Sequence, residues 1–154
     1  MIAFHRILVP TDFSANARTA FHYAASIARK YDAELILVHI VQDIALVLPD
    51  AVMPTPMPAP ATEELIASAA GLYEQFFATE FVEGLRLKTD TRVGSPFHEI
   101  VGYATEQKAD LIVMGSHGRS ALAHILMGSV AEKVVRKATC PVLCVRHQFE
   151  DTAS

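Results

Sequence analysis

The sequence predicts an α/β fold: a single doubly wound, Rossmann-like sheet of five parallel strands, order 3-2-1-4-5, with helices on both faces. Three observations carry this. Short apolar runs alternate with segments whose apolar residues recur at helical spacing, the pattern that packs helices against a parallel sheet. The runs Leu35-Ile36-Leu37-Val38 and Leu111-Ile112-Val113-Met114 are apolar without alternation, as strands covered on both faces are. The 154 residues, 51% hydrophobic and 19% charged, suffice for one domain with a substantial core and are too apolar for disorder. The fold type supplies the strand order, and the crossovers are expected to be right-handed.

The first strand is Arg6 to Val9, stopped by Pro10. Thr11-Asp12-Phe13-Ser14 is a loop ending in a helix N-cap, Ser14. Ala17, Ala20, Phe21, Ala24, Ile27, Ala28 and Tyr31 then mark a helix with a small-residue face, broken at Asp32-Ala33. Glu34 to Val41 is the second strand. Five prolines between Pro49 and Pro60 exclude regular structure from the apolar stretch 42–60. It is either a mobile insertion, or a flap over a ligand or a contact with a partner subunit.

Thr62 caps the second helix, with Glu63 and Glu64 in its first turn and Leu65, Ile66, Ala69, Leu72, Tyr73, Phe76 and Phe77 on one face. Gly84 ends it. Leu85 to Val93 alternates apolar or threonine with charge, which suits a sheet edge. Gly94-Ser95-Pro96 is a turn, with Ser95 as N-cap and Pro96 opening a third helix that ends near Lys108. Ala109 to Met114 is the fourth strand, Val130 to Lys137 the last helix and Pro141 to Val145 the fifth strand. Residues 1–147 read as one domain and 148–154 as a polar tail.

Strand 4 leads into Gly115, Gly118, Gly128 and Ser129, the pattern G-x2-G-x9-G-S. Glycine allows close backbone approach and positive φ, and a helix N-terminus offers unpaired N–H groups and partial positive charge, so the combination suits a phosphate. Gly128, Ser129 and Val130 supply the N–H groups and a hydroxyl, Gly115 and Gly118 the turn, and Arg119 a cation. A purely structural reading stands beside this one. Ser129-x-x-Glu132 is also a capping box, and the glycines serve ordinary turns. With strand 1 beside strand 4, the loops carrying Pro10-Thr11-Asp12 and Gly115 to Gly118 meet at the topological switch point, where ligands of open α/β sheets bind.

The stretch MGSHGRSALAHILMGSVAEKVVRKATCPVLCVR, with RILVPTDFS and LILVHI, resembles the universal stress protein family over residues 3 to 147. Its ATP-binding branch carries G-x2-G-x9-G-[ST], matched here at every fixed position. The resemblance implies that Asp12 hydrogen-bonds a ribose, that Pro10 and Thr11 shape the wall, and that Ile40 meets adenine. It places Gly115 by the ribose and Gly118, Gly128, Ser129 and Val130 around the phosphates, with His117 and Arg119 in the same loop, and counts Met114 among the binding residues. Read from the residues alone, Asp12 serves equally as a cap for the first helix. The ligand implied is ATP, or ADP or AMP, with Mg²⁺ carried on its phosphates.

Other classes find less support. No Walker lysine, H-x-G-H motif, Ser/Cys–His–Asp set or catalytic carboxylate pair is evident, so a dedicated enzyme is not expected; slow ATP hydrolysis needs only a positioned water. The seven histidines have no metal-site spacing, and the net charge of −4 gives no basic surface for nucleic acid. No run approaches the ~18 apolar residues of a membrane span, and the N-terminus lacks a signal-peptide pattern, so a cytoplasmic location is expected. On one strand Cys140 and Cys144 would lie ~13 Å apart, too far for a disulfide. Strand 5 is an apolar edge, Val142-Leu143-Cys144-Val145, and is expected to form an antiparallel homodimer contact, which the resemblance also implies. The remaining reading is a dimeric partner-binding scaffold whose pocket stays empty.

Overall fold

A computed structural model describes residues 1–42, 60–118 and 126–147. Residues 43–59 of the Pro-rich stretch, Arg119 and the tail 148–154 lie outside them. In chain order the elements are β1 (Arg6–Thr11), α1 (Ala15–Tyr31), β2 (Glu34–Val41), α2 (Pro60–Phe77), β3 (Arg86–Val93), α3 (Pro96–Glu106), β4 (Leu111–Gly115), α4 (Ser129–Lys137) and β5 (Val142–Val145). All neighbouring strands pair in parallel, in the order β3-β2-β1-β4-β5.

Alternation along the central strands divides the core in two. Ile7, Val9, Leu35, Leu37, Leu111 and Val113 face α1 and α2, where they meet Ala20, Phe21, Ala24, Tyr73 and Phe76. Leu8, Ile36, Val38, Ile112 and Met114 face α3 and α4, against Ile100, Tyr103, Ala131 and Val134. The alanines of α1 let the helix approach the sheet closely, and Phe21, 1% exposed, contributes about 2 kcal/mol by burial. Packing therefore holds α1 in place. Its start follows the sequence: Ser14 is the N-cap and accepts from the Ala17 N–H.

Several boundaries differ from expectation. β1 runs through Pro10 to Thr11. A proline is tolerated because β1 pairs with β4 only at Ile7↔Leu111 and Leu8↔Ile112, so the missing N–H falls beyond that ladder. α2 begins at Pro60, with proline in the first position and Thr62 inside the helix. It ends at Phe77 and not at Gly84. The Arg18 guanidinium donates to the Phe76 carbonyl at 3.3 Å and pairs with Glu80, tying off the last turn. Gly84, at φ 77°, instead turns the chain into β3.

β3 is the half-exposed edge the alternation predicts. Its Asp90 is held from both faces of the sheet. Tyr73 of α2 donates to its carbonyl at 2.5 Å, and Tyr103 of α3 donates to its carboxylate at 2.6 Å. At the other edge β5 leaves Leu143 36% exposed. Cys140 and Cys144 are free and half-buried, and burial pushes both thiols above their ordinary pKa. No helix among the described residues is long and apolar enough to cross a membrane.

Candidate functional site

A cavity of about 710 Å³ opens at the C-terminal ends of β1 and β4, within the size range of small-molecule sites. Pro10, Thr11 and Asp12 line it from the end of β1 and the turn after it, Ile40 from β2, Met114, Gly115, His117 and Gly118 from the end of β4 and the loop after it, and Gly128, Ser129 and Val130 from the α4 N-terminus. The structure thus gathers the expected residues of the described chain onto one surface, while Arg119 lies outside the described residues.

The β1 loop is held by its own polar side chains. Thr11 Oγ1 accepts the Phe13 N–H at 2.9 Å, and Asp12 Oδ1 accepts the Ser14 N–H at 3.0 Å. The helix-start role weighed for Asp12 therefore occupies one oxygen, in an Asx turn. The other, Oδ2, lies against the glycine loop, 3.1 Å from where a Cβ on Gly118 would sit.

The glycines act through space and not through positive φ, which among the described glycines occurs only at Gly84 and Gly94. A Cβ on Gly115 would meet Asn16 Cβ and the His117 carbonyl at 3.1 Å, and one on Gly128 would meet the Ser116 carbonyl at 3.3 Å. Each glycine lets neighbouring segments pass closer than an alanine would allow.

The α4 terminus also differs from expectation. Gly128 is the N-cap and no side chain caps the helix, so the Ser129–Glu132 capping box does not form. Ser129 is the first helical residue, one place too late to cap, and Glu132 pairs with Arg136 at 2.8 Å. The Gly128 N–H is already committed to the Ser116 carbonyl at 2.7 Å and is not offered to a ligand. The first-turn N–H groups at Ser129, Val130 and Ala131 have no acceptor within the helix, so with the helix dipole they make this end of the cavity electropositive. The described lining holds no lysine or arginine, and Asp12 is its one carboxylate.

The opposite end is apolar. The Val41 carbonyl accepts the Gly94 N–H at 2.9 Å, on the β3 side. Successive carbonyls alternate along a strand, so that of Ile40 faces the β1 side, where β1 has ended at Thr11. A polar edge is thereby left for a flat heterocycle, beside Leu65, Ala69 and Leu72 of α2 and Ile100 of α3.

Sequence reasoning missed part of this wall. Leu65, Ala69 and Leu72 of α2 belong to a stripe assigned wholly to the core, and Ser68 between them carries no assignment. Asn16 is 8% exposed, and its Nδ2 donates toward the Gly118 carbonyl at 3.5 Å. A lone asparagine in the alanine-rich start of α1 was the available signal. Ser116, 6% exposed, accepts from Gly128 through its carbonyl, a backbone role that residue type does not reveal.

The model of the universal stress protein family matches residues 3–146. Universal stress protein MJ0531 of Methanocaldococcus jannaschii is 35% identical over 148 aligned positions, covering 93% of this chain and 82% of that protein. Universal stress protein MJ0577 of the same organism is 31% identical, over 96% of this chain and 98% of that protein. Its solved structure superposes with a TM-score of 0.81, covering 97% of this chain and 100% of that one. A universal stress protein solved in complex with cAMP superposes with a TM-score of 0.62 at 28% identity, over 94% of this chain and 98% of that one.

Proposed function

The chain belongs to the universal stress protein family, and on that footing we propose that it is a regulatory stress-response module that binds an adenine nucleotide, ATP foremost. The observation that carries the reading is one cavity with two chemically distinct ends. The α4 N–H groups at Ser129 and Val130 suit phosphates; the β2 terminus at Ile40 suits adenine; Asp12, between the two loops, suits ribose hydroxyls. The relative that binds cAMP supports the ligand class.

Mg²⁺ fits as a passenger on the nucleotide. Among the described residues no group of three His, Cys, Asp or Glu side chains is placed to hold a metal. An ion held through phosphates with few protein ligands asks for no more than Asp12 can give. A positioned water would allow slow hydrolysis, but in this reading the cavity serves binding. The working form in this reading is a cytoplasmic homodimer joined through β5.

Titration calorimetry with ATP and Mg²⁺ tests the reading. Wild type is expected to bind one nucleotide per chain. Gly128→Val, still folded by circular dichroism, is expected to lose binding, because its side chain drives the α4 terminus away from Ser116. Failure of wild type to bind ATP, ADP or AMP would overturn the reading and favour the partner-binding scaffold.

A further inference from the structure

We propose that His39 is a positioning residue: its imidazole holds the Thr11–Phe13 turn in the conformation that presents the Asp12 carboxylate to the cavity. The proposal rests on the nucleotide-binding reading above for its functional consequence, but not for its geometry.

Phe13 adopts φ 61°, a left-handed conformation rare for a bulky residue and kept only where the surroundings over-determine it. Two of the restraining hydrogen bonds, Thr11 Oγ1 with Phe13 and Asp12 Oδ1 with Ser14, are internal to the turn. They shape it without fixing it to the rest of the fold. His39, from β2, supplies an anchor from outside. Its Nδ1 lies 2.8 Å from the Thr11 carbonyl oxygen. A carbonyl only accepts, so Nδ1 carries the proton and the tautomer is set.

That carbonyl belongs to the planar peptide group leading into Asp12, so fixing its oxygen fixes the plane from which the Asp12 side chain departs. The same imidazole packs on the Phe13 ring at 4.8 Å, while Tyr73 and Phe76 of α2 meet that ring at 5.1 and 6.0 Å. Asp12 Oδ2 is thereby left against Gly118, across the crevice.

Three substitutions separate this role from its alternatives. The side-chain amide of asparagine places a donor where Nδ1 stands, glutamine places one where Nε2 stands, and leucine removes both. With ATP and Mg²⁺ in calorimetry, His39→Leu and His39→Gln are expected to bind about tenfold more weakly than wild type, and His39→Asn within about threefold. In an Asp12→Ala background His39→Leu is expected to change nothing further. Retention by glutamine with loss by asparagine would overturn the proposal in favour of direct ligand contact through Nε2. Unchanged binding in all three, or a full additional loss in the Asp12→Ala background, would also overturn it.

The turn is read without ligand as well. Amide exchange at Phe13 and Ser14 is expected to speed up about tenfold in His39→Leu and to stay near wild type in His39→Asn. Unchanged exchange in His39→Leu overturns the proposal even if no nucleotide binds, whereas faster exchange in a protein that binds no nucleotide overturns only the nucleotide-binding reading.

Discussion

The Gly128 N–H donates to the Ser116 carbonyl at 2.7 Å, and this bond ties the start of α4 to the loop leaving β4. It fixes the direction of the first-turn N–H groups without consuming them. It also explains the glycine: a Cβ at 128 would press on the same carbonyl at 3.3 Å. The α4 end of the cavity is built by a contact between two backbones, and the side chains of the motif come second.

Gly118→Ala should act on the ligand more than on the fold. Its Cβ would stand 3.1 Å from Asp12 Oδ2, a side-chain atom that can give way by a few tenths of an ångström. Nucleotide affinity is expected to fall about tenfold in calorimetry while stability changes by less than ~1 kcal/mol. Gly102→Ala is the control. It lies inside α3 with nothing within 4 Å of its Cβ, so stability should rise by about 0.5–1 kcal/mol with affinity unchanged.

Ser14 and Ser129 should behave oppositely. Ser14 caps α1 through the Ala17 N–H at 3.2 Å, and Ser14→Ala is expected to cost about 1 kcal/mol in denaturant unfolding. Ser129 caps nothing, since Gly128 holds that position. Ser129→Ala is therefore expected to stay within ~0.5 kcal/mol of wild-type stability and to weaken nucleotide binding several-fold. A stability loss at Ser129 matching that at Ser14 would restore the capping-box reading.

These contrasts show what the sequence could convey. Among the described residues periodicity located each strand and helix, because continuous apolar runs and i, i+3, i+4 spacing arise directly from two-sided burial. Glycine spacing located the loop. Boundaries governed by distant partners were not legible. Pro10 looks like a strand terminator until the β1–β4 ladder is seen to stop at Leu8. Gly84 looks like a helix stop, but α2 ends earlier, where Arg18 of α1 binds the Phe76 carbonyl and Glu80. Ser129 and Glu132 fit a capping box, yet the helix starts one residue too early to use it. The wall made by α2 and the anchor from His39 depend on tertiary placement, which carries no local signal.

The β5 edge yields a prediction about assembly. Leu143 stands 36% exposed on an apolar strand that ends the sheet, and Val135 on α4 is 46% exposed. In the homodimer proposed through β5, a charge at 143 would be buried without a partner. Leu143→Glu is expected to sediment as a monomer at concentrations where wild type is a dimer. A dimer that survives this change would place the interface elsewhere.

Tyr73 ties stability to alkaline pH. Its hydroxyl donates to the Asp90 carbonyl, and burial is the main reason its pKa is pushed up to about 12 from an ordinary value of 10.0. Tyr103, donating to the Asp90 carboxylate, is raised as well, first by burial. A group whose pKa is higher in the folded state binds its proton more tightly there. The stabilisation it contributes is complete below the unfolded value and is lost as pH rises toward the folded one. Stability is therefore expected to fall between pH 10 and about 12. Tyr73→Phe should cost about 1 kcal/mol at neutral pH, for the lost hydrogen bond, and should flatten that alkaline fall. Denaturant unfolding of both proteins at pH 8 and pH 11 checks it: if both lose the same stability between those pH values, Tyr73 is not a source of the alkaline dependence.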